Sequence, residues 1–137
     1  MRFRAGLPNL DKAVGRGETV CMGLLVPAPI AEAEAERIVQ DKLLWILGSS
    51  DPLAVIVFGS AARGEMTERS DIDLALIYPD EASLKAGRSA IYLQPPAGSW
   101  PADLLFYTKD VFLGKRESDG VCELIGREGR VIHGGLG

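Results

Sequence analysis

Residues 55–75 read VIVFGSAARGEMTERSDIDLA, and the fold turns on how two apolar runs flank a glycine turn and a pair of aspartates. Residues 53–58 form a continuous apolar, β-branched-rich run. It is too short for a stable helix and suits a strand buried on both faces. Gly59 and Ser60 end that run. Glycine lets the backbone turn sharply and approach a ligand, and the serine adds a hydroxyl, so this turn can present N–H groups to a phosphate. If Ala61, Ala62 and Arg63 open a helix, its positive end adds to the same site. A second strand is predicted over 72–78. Alternate residues of a strand share a face, which places Asp71 and Asp73 together beside the turn. Two carboxylates on one face repel, and a divalent cation is the natural counter-charge.

A third carboxylate follows downstream. Asp103 opens the apolar run 103–107, which reads as a strand after the breakers Pro95-Pro96 and Ser99-Trp100-Pro101. A neighbouring strand would place it opposite the aspartate pair. Three carboxylates that hold Mg²⁺, with a glycine turn that holds a triphosphate, describe nucleotidyl transfer, in which Asp103 serves as base or base-side ligand. Arg63 either neutralises triphosphate charge or pairs with Asp71 or a neighbouring glutamate, and Ser70 is expected to bond the backbone near the aspartates.

The run Gly59-Ser60-Ala61-Ala62-Arg63-Gly64, a five-residue spacer, then Ser70-Asp71-Ile72-Asp73-Leu74 resembles the signature of the minimal nucleotidyltransferases, small members of the DNA polymerase beta-like superfamily. Ala102-Asp103-Leu104-Leu105 is similar to that family's third-carboxylate strand, and residues 123–133 to its closing helix and strand, so the resemblance covers about 30–133. It departs at His133, where the family pattern leads one to expect an aromatic such as tyrosine. The resemblance implies an α/β (α+β) fold, a short mixed sheet flanked by helices. It implies two Mg²⁺ ions on Asp71, Asp73 and Asp103, and ATP as substrate with Gly59, Ser60, Arg63 and Ser70 on the nucleotide side. It further implies a helical HEPN-type toxin as partner in a hetero-oligomer. Some family members silence such a partner by transferring AMP to one of its tyrosines.

The bulk properties narrow the alternatives. A chain of 137 residues is expected to be one domain, which borrows its acceptor site from another protein. Its net charge of -4, with 19 acidic and 15 basic residues, disfavours a nucleic-acid surface. Cys21 and Cys122 form no CxxC pair, so neither a disulfide framework nor a zinc site is expected. His133 is the only histidine and reads as structural. Pro27 and Pro29 break the apolar stretch 20–30, and Asp11 and Glu18 precede it. Neither a signal peptide nor a membrane span is expected, and the cytoplasm is the default location. Residues 1–20 read as a disordered or loosely docked extension, or as sequence upstream of a natural start at Met22. Residues 1–30 are accordingly set apart from a nucleotidyltransferase domain over 31–137. Two other functions share the motif: a catalytically idle antitoxin that blocks its partner by occlusion, and a free-standing enzyme acting on a small aminoglycoside-type acceptor.

Periodicity supplies the remaining elements. Ala35, Ile38, Val39, Leu43, Ile46 and Leu47 share one face of a helix over 31–47, with Glu32, Glu34 and Glu36 in its first turns and Gly48 as its stop. Trp45 lies off that face and either packs at its border or meets a partner. A helix over 80–93 is expected to bury Ala82, Leu84 and Ile91 and to expose Glu81, Lys85 and Arg88. Short helices are expected over 109–113 and 117–126, and a last strand over 130–133. Trp100 either lines the nucleotide pocket or packs at the start of the third strand.

Overall fold

In a computed structural model, which describes residues 27–95, 100–115 and 120–136, the first predicted helix is α1 (Glu32–Leu47). It buries Ile38, Val39, Leu43 and Ile46, as its spacing requires. Lys42 is buried with them and lies 5.5 Å from the Trp45 ring centre. Burial pushes its ammonium pKa down, against the opposing pull of Asp41. Gly48 ends the helix differently from a left-handed glycine cap: its φ of -69° is ordinary helical backbone. The stop comes instead from Ser49 and Ser50, whose N–H groups both donate to Ile46 O, at 3.2 and 3.0 Å.

Strand β1 (Ala54–Phe58) is buried along its whole length. After the single turn α2 (Ser60–Arg63) comes β2 (Ile72–Tyr78), then α3 (Glu81–Leu93), β3 (Ala102–Thr108), α4 (Lys109–Lys115), α5 (Gly120–Glu128) and β4 (Arg130–Gly134). The four strands form one mixed sheet in the order β3-β2-β1-β4. β1 is antiparallel to both β2 and β4, while β2 and β3 run parallel. Alternation along the strands divides the core in two. Val55, Val57, Ile72, Leu74, Leu76 and Tyr78 face α1 and α3, whereas Ala54, Ile56, Phe58, Ala75 and Ile77 face Phe112 of α4 and Cys122 and Ile125 of α5. The sheet is thus covered on both faces, which explains why its central strands read as unbroken apolar runs.

Upstream of α1, Ile30 N donates to Met66 O at 3.0 Å and Glu68 N to Ala28 O at 2.9 Å. The chain at 28–30, assigned above to the extension, therefore lies along the loop that leads to the aspartates. Cys21 and the rest of 1–26 fall outside the described residues.

Helix α3 corrects one expected burial: Ala82 is exposed, and Gly87 takes the buried place between Leu84 and Ile91. The register follows from the N-cap, where Asp80 Oδ1 accepts from Ser83 N at 2.8 Å. A Cβ on Gly87 would lie 2.6 Å from Ser50 Oγ, 2.6 Å from Tyr78 Cε2 and 2.7 Å from Tyr78 Oη. Those two hydroxyls are themselves hydrogen-bonded at 2.6 Å. Gly87→Ala is accordingly expected to destabilise the protein by about 1–3 kcal/mol through overpacking, read as a lower urea midpoint with an unchanged slope.

Candidate active site

Three strand ends meet on the α4/α5 face of the sheet. Phe58, the last residue of β1, pairs with Asp73 of β2, and Asp73 pairs in parallel with Asp103 of β3. Register partners on parallel strands project to the same face, so Asp73 and Asp103 stand side by side there. Asp71, exposed, lies two residues before Asp73 and just ahead of the strand.

The glycine turn closes against this pair. Gly59 has φ 72° and ψ -151°, a conformation essentially restricted to glycine. A Cβ there would overlap Asp73 Oδ2 and lie 3.2 Å from Asp73 Cγ. The residue therefore serves both the turn and the space that Asp73 occupies. Because α2 is only one turn long, it carries little of the macrodipole expected of a full helix. Ala62 N and Arg63 N both donate to Gly59 O at 3.1 Å. What α2 offers a phosphate is the N–H groups of Ser60 and Ala61, which precede the first intrahelical bonds.

The loop ahead of β2 is held by its own polar groups. Ser70 Oγ accepts from Thr67 N at 2.9 Å, and Ser70 N donates to Thr67 O at 3.0 Å. The hydroxyls of Ser70 and Thr67 are 3.2 Å apart. Trp100 Nε1 donates to Ser70 O at 2.9 Å, and Ile72 N donates to Pro101 O at 3.0 Å. These two bonds tie the start of β3 to the start of β2, and so set Asp103 relative to Asp71 and Asp73. Trp100 also packs against the α1/α3 core. Trp45 is engaged elsewhere, donating through Nε1 to Pro95 O at 2.8 Å at the end of α3.

The electrostatics agree with the geometry. Asp73 holds its proton above the usual carboxylate range, first because it is partly buried, then because Asp103 and Asp71 repel its charge, while Arg63 pulls the other way. Asp71 and Asp103 thus act on Asp73, yet among the described residues no group of three Asp, Glu, His or Cys side chains is arranged as a metal cage. An all-carboxylate oxygen set is the donor type that suits Mg²⁺, and the mutual repulsion raising Asp73 is what a cation would relieve. In donor chemistry and charge the three aspartates suit a hard divalent cation, while the described residues do not enclose one.

Arg63 meets two glutamates. Its Nε donates to Glu65 Oε1 at 2.8 Å and its Nη1 to Glu128 Oε1 at 3.0 Å. Hydrogen bonding to Glu65 and then to Glu128 pushes the guanidinium pKa further up. A pairing with a neighbouring glutamate is readable from sequence, since Glu65 is two positions away. Glu128 is 65 residues away, and no local pattern connects it to the motif.

No curated protein matches the chain. The family described as nucleotidyltransferase domain matches residues 32–124, from the first residue of α1 into α5. The matched stretch contains the glycine turn and all three aspartates, on a mixed sheet flanked by helices as in polymerase beta-like enzymes. The chain belongs to the nucleotidyltransferase domain family.

Proposed function

We propose that this enzyme transfers AMP from ATP, with Mg²⁺, onto a hydroxyl of a partner protein, a tyrosine of a HEPN-type toxin, and so acts as an antitoxin. The observation that carries the catalytic part is Asp73, in register with Asp103 and packed against the Cβ-less face of Gly59. This puts the carboxylates and the phosphate-binding turn within one side chain's reach of each other. Asp71, Asp73 and Asp103 would hold the metal, which supplies charge neutralisation for the attacking and leaving oxygens. The Gly59-Ser60 turn orients the triphosphate through backbone N–H groups, with Arg63, whose charge Glu65 and Glu128 offset, on the nucleotide side. Ser70 holds the loop that aims Asp71. Asp103, exposed at the sheet edge, is placed to accept the proton of an incoming hydroxyl. The acceptor assignment is supported by the family resemblance and by the net charge of -4, which disfavours a nucleic-acid acceptor.

The test is neutralisation of the toxin partner in cells. Wild type is expected to restore growth and Asp71→Asn to fail, although both are made and both bind the partner. Neutralisation by Asp71→Asn equal to wild type would contradict a catalytic antitoxin and identify an occluding one.

A further inference from the structure

Glu128 lies beyond the stretch matched by the family, at the last position of α5, yet the fold delivers it to the phosphate turn. Arg130, two residues on, pairs with Val57 in the β1–β4 ladder, and Val57 is two residues before Gly59. The chain between is fixed closely. Gly129 N donates to Ile125 O at 2.8 Å. A Cβ on Gly129 would overlap Ile125 O and come within 2.5 Å of Ile56 Cγ2. On the far side of this corner, Arg130 Nη2 donates to Glu36 Oε1 of α1 at 3.0 Å. The corner formed by 128–130 is thus clamped to α2 through Glu128 and to α1 through Arg130.

The Arg63–Glu128 pair differs from an incidental surface contact. Its two side chains are 41% and 25% exposed, so Glu128 is the more enclosed member and its backbone is held by the ladder and by Gly129. An arginine on a single helical turn, by contrast, has a long side chain and many rotamers to lose. With Glu65 on Nε and Glu128 on Nη1, the plane of the guanidinium is set from two directions. The same guanidinium is close enough to act on Asp73.

We propose that Glu128 is a positioning residue, whose ion pair with Arg63 fixes the guanidinium beside the Gly59-Ser60 turn, so that the cation stands ready for the triphosphate. This rests on the nucleotidyltransferase reading above, and extends it to a residue on the closing helix.

The experiment measures the dissociation constant of a non-hydrolysable ATP analogue, with Mg²⁺, for the full chain and its variants. Arg63→Ala is expected to weaken binding by about 10-fold or more, as loss of a charge-assisted contact does. Glu128→Ala should weaken it by about 3–10-fold, and Glu128→Gln, whose amide oxygen accepts from the same N–H, should stay within about twofold of wild type. Glu128→Met, which keeps the stem and accepts no strong hydrogen bond, should match Glu128→Ala and provides a second variant should alanine loosen the corner. The decisive reading is the double variant: although Glu128 also lies 3.8 Å from Arg127 Nη2, its effect on the triphosphate runs through Arg63, so Arg63→Ala with Glu128→Ala should bind no more weakly than Arg63→Ala alone. Wild-type affinity in both Glu128→Ala and Glu128→Met, or a further loss in the double variant, would overturn the proposal while leaving the enzyme assignment in place. A wild-type chain that binds no triphosphate would overturn both.

Discussion

Asp73→Asn is expected to lower nucleotidyl transfer by about 10³-fold or more and, at neutral pH without divalent cations, to melt at a higher temperature than wild type. The two effects have one cause. Asp73 is partly buried and faces two other carboxylates, so its folded-state pKa is raised. A carboxyl of raised pKa contributes stability that is fully present below its unfolded pKa and is lost as pH rises through the folded value. At neutral pH the ionised side chain therefore opposes folding. Asparagine keeps the shape and removes the charge. Thermal melts should show the variant's advantage at neutral pH and its disappearance in acid, where wild-type Asp73 is protonated. Saturating Mg²⁺ should narrow the gap by stabilising wild type more than the variant. A variant that melts below wild type at neutral pH would contradict this account of the site as functional strain.

Gly59→Ala is expected to damage fold and site together, with a loss of about 3 kcal/mol in stability and of all measurable transfer. Alanine resists φ 72° with ψ -151°, and its Cβ would overlap Asp73 Oδ2. Either the turn opens or Asp73 leaves its position, and both separate carboxylate from phosphate. Gly64→Ala is the control. Gly64 also has φ 72°, but it is in the ordinary left-handed region with nothing within 4 Å of an added Cβ. Its cost should be about 1 kcal/mol, with transfer retained. Urea midpoints and transfer rates of the two variants compare a glycine at ordinary left-handed backbone in open space with one whose glycine-only ψ and contact with Asp73 both bear on the site. Equal losses of activity in both would show that the close approach to Asp73 has no special importance.

Much of this was legible in the chain itself. The strands over 53–58 and 72–78 follow from apolar runs that only a sheet covered on both faces can bury, and β1 and β2 are found there. The shared face of Asp73 and Asp103 needed more, because a sequence gives alternation within a strand but not which strand lies beside it. That came from the parallel β2–β3 pairing. Helix α3 differs at one inward residue: a glycine carries no hydrophobic signal, yet Gly87 packs where an added Cβ would meet Tyr78. Gly48 stands where the stop was expected, directly after Leu47, although it caps the helix in right-handed rather than left-handed backbone. Glu128 was invisible because a pair 65 residues apart depends on the β1–β4 ladder, which no local pattern encodes.

The central claim is that Asp71, Asp73 and Asp103, closed by the Gly59-Ser60 turn, form a nucleotidyl-transfer site. It is tested most directly by incubating the purified chain with α-labelled ATP, Mg²⁺ and the partner protein, beside the Asp71→Asn, Asp73→Asn double variant. The account predicts label on the partner with wild type, and none with the double variant. Label of equal intensity with both, or none with wild type in a stable complex, would contradict it.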